Sequence, residues 1–146
     1  MANVEIEAAV VAPSADDLEA IEATARDYVE GYFDGDESRM RRCLHPELVK
    51  RTIWRDPEGG DWRLGRPSSA EAMAGWARDG VGRTAVDQGR PIEITIESVF
   101  RHIASVKVVS QPFMDYLHVA RVGDRWVIVN VLWELRDGEM APPLST

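Results

Sequence analysis

Residues 113–135, FMDYLHVARVGDRWVIVNVLWEL, decide how the rest of the chain is read. Two runs rich in Val, Ile, Leu, Tyr and Trp flank Gly123-Asp124, and a two-residue connection that can take positive φ suits the right-handed twist of paired strands. The spacing predicts a hairpin, and its register follows by counting from the turn. Val122 falls opposite Arg125, Arg121 opposite Trp126, Val119 opposite Ile128, Leu117 opposite Asn130 and Asp115 opposite Leu132. Strand side chains alternate between faces, so Asp115, Leu117, Val119, Arg121, Trp126, Ile128, Asn130 and Leu132 share one side. Tyr116, His118, Ala120, Val127, Val129, Val131 and Trp133 share the other. Both sides are largely apolar and both need cover: helices on one, a second subunit on the other. Ala120, Val127, Val129, Val131 and Trp133 would otherwise expose a patch larger than the roughly few hundred Å² a monomer tolerates, which predicts a homodimer through the sheet.

Upstream of the hairpin, Ile92, Ile94 and Ile96 alternate with Glu93, Thr95 and Glu97, the pattern of a strand with one wet face. If Arg101-His102 turns this strand into Ile103–Ser110, counting sets Ile96 against Lys107, which calls for a bulge or a different loop length. Pro112 separates these strands from the final hairpin. At the start of the chain, Ser14 is placed to cap a helix in which Leu18, Ile21, Ala25, Tyr28, Val29, Tyr32 and Phe33 recur at helical spacing as far as Asp34-Gly35-Asp36. A short helix over Glu37–Leu44 follows, then a strand over Leu48–Arg55, a turn over Asp56–Asp61 and a return strand at Trp62–Leu64. Ser68 and Glu71 form a capping box for a third helix that runs to Gly80, and Val81–Gly89 reads as loop. Residues 15–136 make one domain, with a loose leader at 1–14 and a polar tail at 137–146.

At 146 residues the chain is long enough to hold a core without staples, and 45% hydrophobic with 29% charged residues is the balance of a globular protein. A net charge of −8 argues against nucleic acid or an anionic membrane as partner. The single cysteine, Cys43, excludes an internal disulfide framework. Glu5 and Glu7 stand where a signal peptide would carry Lys or Arg, so the expected location is the cytoplasm. His45, His102, His118 and Cys43 offer no ligand pair at helical or knuckle spacing, no Gly-rich phosphate loop follows a strand, and no Gly-x-Ser-x-Gly elbow is present. The reading expects neither metal nor cofactor.

The order helix, short helix, small hairpin, helix and four long strands resembles the nuclear transport factor 2-like superfamily. The segments Gly35-Asp36, Leu44-His45-Pro46, Asp115-Tyr116-Leu117 and Gly123 to Asn130 are similar to its bacterial branch called putative lumazine-binding proteins, over about Asp16 to Arg136. The resemblance implies an α+β cone, three helices packed in a strongly curved, mostly antiparallel sheet, with a pocket for a small molecule. The superfamily holds isomerases, dehydratases and hydrolases as well as binding and docking proteins.

Within such a cone, Asp115 and Asn130 share a hairpin face and could both enter the pocket. A carboxylate there would have its charged form disfavoured, which suits a general acid or base; alternatively Asp115 is a structural carboxylate. His45, at the junction before Pro46, could exchange a proton near neutral pH or cap a helix carbonyl. Lys50 or Arg51 of the first strand could steady developing negative charge. Tyr28, Tyr32, Trp54 and Trp76 could line a site for a flat ligand or simply fill the core. Two functions follow from these residues. One is a cofactor-free acid/base enzyme acting on a small polar or cyclic compound, with Asp115 and His45 catalytic and Asn130, Arg51, Tyr28, Tyr32 and Trp54 holding the substrate. The other is a non-catalytic ligand-binding or interaction module that acts as a homodimer.

Overall fold

A computed structural model of the chain describes residues 12–84 and 89–136. The expected leader up to residue 11, the tail from residue 137 and residues 85–88 of the expected loop lie outside the described residues. Helix α1 (Ala15–Asp34) starts where Ser14 accepts a hydrogen bond from the Asp17 N–H and stops at Gly35, whose φ of 68° is a left-handed turn that suits glycine. Helix α2 (Glu37–Cys43) is capped by Asp36, which accepts from the Arg39 N–H. Helix α3 (Ala70–Asp79) is capped by Ser69 rather than Ser68. Ser68 is engaged elsewhere: its backbone pairs with Lys50 through hydrogen bonds of 2.7 and 3.1 Å. Val81–Thr84 forms a 3-10 turn inside the stretch read as loop.

The strands are β1 (Leu44–Trp54), β2 (Arg63–Leu64), β3 (Glu93–Phe100), β4 (Ile103–Val109), β5 (Phe113–Val122) and β6 (Arg125–Leu135). They form one curved sheet in the order β2-β1-β6-β5-β4-β3. Only β1 and β6 run parallel; the other neighbouring pairs are antiparallel. Arg101-His102 is the turn between β3 and β4, and a register shift between Ile96 and Ser98 sets Ile96 opposite Val106 instead of Lys107, so of the two alternatives that the spacing leaves open, a bulge or a different loop length, the strand takes the bulge.

The final hairpin differs from the count in one respect. Its register holds from Val122–Arg125 to Val119–Ile128 and then shifts, so that His118 faces Asn130, Leu117 faces Val131 and Asp115 faces Trp133. Val129 is the extra residue, and an unpaired residue in one strand exchanges the faces of everything beyond it. Asp115, Leu117, Val119, Trp126 and Ile128 lie on the concave side as counted. Asn130 and Leu132 do not: they are exposed on the convex side, while Val131 and Trp133 turn inward.

The concave side is filled from α1. Ile21, Ala25, Val29 and Phe33 pack against Val106, Val108, Leu117, Val119 and Ile128, all buried. Trp126 fastens the hairpin to the first half of the helix: its indole N–H donates to Asp17 Oδ1 at 3.1 Å, and its carbonyl accepts the Thr24 hydroxyl at 2.9 Å. Arg39 ties α2 to α1 by donating to Asp27 at 2.9 Å and to Glu30 at 2.8 Å. These contacts close one end of the cone and leave the other, towards Tyr28 and Tyr32, incompletely filled.

Candidate functional site

A cavity of about 220 Å³ occupies that end of the cone. Tyr28 and Tyr32 of α1 form one wall, Phe113 and Trp133 another, and Arg66 and Ser68 of the segment leading into α3 stand at its edge. Lys50 and Thr52 come from β1, where alternation sends them inward while Val49 and Arg51 go outward. Asp115 comes from β5 and is 4% exposed.

Three polar side chains form a chain across this space. The Lys50 ammonium donates to Tyr28 Oη at 2.7 Å, and the Tyr28 hydroxyl donates to Asp115 Oδ1 at 3.2 Å. Lys50 Nζ also lies 5.1 Å from the Tyr28 ring centre, 5.5 Å from that of Trp133 and 5.9 Å from that of Tyr32, within the range of cation–π attraction. Burial pushes the Asp115 carboxyl up to about 6, against the opposing pull of Lys50 and of the Tyr28 hydroxyl. Burial likewise lowers Lys50 to about 8, and the charge of Asp115 limits the fall. Tyr28 is raised well above its ordinary value, first by desolvation and then by Asp115, so its hydroxyl stays protonated and can pass hydrogen bonds between its two neighbours. The site therefore offers a carboxyl that changes charge close to neutral pH, an amine that can lose its proton in mild base, and aromatic walls.

Of the residues singled out from the sequence, Asp115, Tyr28 and Tyr32 converge on this cavity together with Lys50 and Trp76. The remaining four lie elsewhere. Asn130 is on the convex side, its amide 3.4 Å from His118 Nδ1, because of the extra residue at Val129. Arg51 also faces outward, opposite Leu132. His45 turns back on its own segment, its Nδ1 accepting the Glu47 N–H at 3.0 Å. Trp54 lies under the Arg63 guanidinium, 4.9 Å from its ring centre, and does not line the cavity. The same one-residue shift turns Trp133 to the inward face against the count, Thr52, Arg66 and Phe113 carry no signal for the cavity in the sequence, and Ser68 is marked there only as a helix cap. Among the described residues no group of three or more His, Cys, Asp or Glu side chains is arranged to hold a metal ion.

Residues 16–134 match the family described as "Putative lumazine-binding". The chain belongs to that family. No curated protein matches its sequence. Solved structures similar to this family member include an NTF-2 like protein of unknown function from Silicibacter pomeroyi, with a TM-score of 0.62, 21% identity and coverage of 84% of this chain and 98% of that one. An NTF2-like protein of unknown function from Shewanella baltica gives a TM-score of 0.64 at 14% identity, covering 86% and 98%. A ketosteroid isomerase-like protein from Erwinia carotovora atroseptica gives 0.52 at 13%, covering 84% and 98%. These likenesses show the nuclear transport factor 2-like fold of the family member, an α+β cone.

Proposed function

We propose that the protein binds a small single-ring or similarly compact polar organic molecule in the cone, and that Asp115 exchanges a proton with it in a cofactor-free isomerase, dehydratase or hydrolase reaction. The observation that carries this reading is the buried Asp115 carboxyl at about 6, hydrogen-bonded to Tyr28 beside an aromatic-walled cavity. A general acid or base works best when its pKa lies near the working pH. Size supports the ligand class: roughly 150 Å³ of apolar space holds a benzene ring, so about 220 Å³ accommodates one ring with a polar substituent. Thr52 and Ser68 add hydroxyls to the lining, and Arg66 a cation at the edge.

The test is calorimetric titration of a panel of single-ring phenols, carboxylic acids and ketones into the wild type and into Ser68→Trp, which would set an indole across the cavity. Binding by the wild type that changes with a midpoint near pH 6 and is absent from the folded variant is the expected result. Equal binding by both proteins would put the ligand elsewhere and end the reading.

The convex face supports a homodimer, on a set of residues that keeps Val129 from the one first counted and loses Val131 and Trp133, which turn inward. Ile103, Tyr116 and Leu132 are 59%, 47% and 51% exposed there, and Val129 and Met114 are half-buried beside them. A second copy seated on this face would cover them. Leu132→Glu is then expected to sediment as a monomer where the wild type sediments as a dimer. A wild-type monomer at micromolar concentration would remove the proposal.

A further inference from the structure

We propose that Lys50 is a nucleophile that condenses with the carbonyl carbon of a small aldehyde or ketone held in the cone, forming a Schiff base whose cation is caged by Tyr28, Tyr32 and Trp133. The proposal rests on the reading of the cavity as a ligand site and names the class of compound it takes. The chain has two lysines, Lys50 and Lys107, against fifteen arginines. A cation needed only for charge can be an arginine, which stays protonated; an amine that must shed its proton and attack has to be a lysine. Lys107 lies on the convex side of β4, opposite Tyr116, so the cavity holds the one inward lysine of the two.

Position supports the role as well. Lys50 Nζ lines the cavity, makes its hydrogen bond to a neutral phenol, and enters no ion pair among the described residues. An ammonium locked to a carboxylate would be held charged; here Asp115 acts at one remove, through the Tyr28 hydroxyl. The charged and titratable groups around Nζ are Tyr28 and Tyr32 from α1, Asp115 from β5 and Arg66 from the segment leading into α3. With the amine lowered to about 8, roughly a tenth is uncharged at pH 7, against well under a thousandth for an ordinary lysine.

The step balances without an added reagent. The Lys50 ammonium gives one proton through the Tyr28 hydroxyl to the Asp115 carboxylate. The free amine attacks, the C–N bond forms, and the carbonyl π pair moves to oxygen. One of the two protons left on nitrogen moves to that oxygen to give the neutral carbinolamine. Asp115 returns its proton by the same relay to the hydroxyl, which leaves as water as the nitrogen lone pair forms C=N. The net change is ammonium plus carbonyl to iminium plus water, with Asp115 again a carboxylate. The iminium keeps the positive charge within the three aromatic rings that held the ammonium. It also acidifies the adjacent carbon, which gives Asp115 a proton to remove.

The experiment is reductive trapping of the full chain with benzaldehyde or cyclohexanone and sodium cyanoborohydride at pH 7, read by intact mass and peptide mapping. Lys50 is expected to be modified at least about tenfold faster than Lys107, because its amine is more often uncharged than an ordinary lysine's and lines the cavity that holds the carbonyl compound. Lys50→Arg should take no adduct at position 50. Asp115→Asn should move the pH profile of trapping to lower pH, since Lys50 then loses the charge that holds its proton. Modification of Lys107 as fast as Lys50, or binding of both carbonyl compounds with Lys50 unmodified, overturns the inference and leaves the ligand site standing. Failure of the whole phenol, acid and ketone panel to bind overturns the site itself. The comparison of two lysines within one wild-type chain needs no variant to fold.

Discussion

Truncating Trp126 to Ala should cost about 3 to 5 kcal/mol of folding stability, a large share of the roughly 5 to 15 that a domain of this kind holds. The indole is 5% exposed and belongs to the main core, so its removal combines lost burial with a cavity that α1 and β5 cannot easily close. Its N–H also donates to Asp17, and that hydrogen bond is the first cause holding the Asp17 carboxyl below its ordinary range. Two readouts should therefore move together. Chemical denaturation should show the loss of stability, and the Asp17 carboxyl should titrate at higher pH in the variant. A loss under about 1 kcal/mol would mean that the hairpin does not depend on this side chain for its seat on α1.

Asp115→Asn should lower any turnover by about 10² to 10⁴-fold, the usual worth of a positioned general acid or base, while leaving the cavity's shape intact. The same variant has a pH signature in stability. Asp115 titrates at about 6 in the fold against an ordinary 3.8, so the fold favours the protonated form. The stabilisation linked to this group is fully present below about 3.8 and is lost as the pH rises through about 6. Wild type should thus lose something on the order of 2 kcal/mol between these limits that the variant does not lose, the attraction of Lys50 for the charged form being already contained in the value of about 6. Lys50 has the opposite sign: its contribution is present above about 10.5 and is lost as the pH falls through about 8. Urea denaturation of both proteins at pH 4 and pH 7 measures the difference. A variant that is less stable at pH 7 and binds ligand unchanged would make Asp115 a structural carboxylate.

The fold was legible from the sequence because its signals are local and agree with one another. Ser14 and Asp36 cap helices, Gly35 and Gly80 end them, Gly123-Asp124 turns the final hairpin, and the mismatch across Arg101-His102 betrayed a bulge. The site was legible only in part. Asp115, Tyr28 and Tyr32 could be found because the first is an acid among apolar neighbours and the others lie on the buried stripe of α1. Lys50 and Arg51 could not be told apart until the parallel pairing of β1 with β6 fixed which of them looks inward. Nothing in the Val127 to Val131 run marks Val129 as the unpaired residue, since every position but one is valine or isoleucine and each tolerates either face. Asn130 was misplaced for that reason.

That unpaired valine gives the protein an unusual genetic tolerance. Loss of one codon at position 129, with the turn and the pairing otherwise kept, would close the bulge and nothing more: Asn130 would still face His118, Trp133 would still face Asp115, and the same side chains would look inward. The spare residue thereby lets the strand lose one position next to the bulge without exchanging the aromatic wall of the cavity for an aliphatic one. Relatives that lack one residue at this point of the strand are therefore expected to keep the same side chains turned into their cones, on a hairpin with no kink.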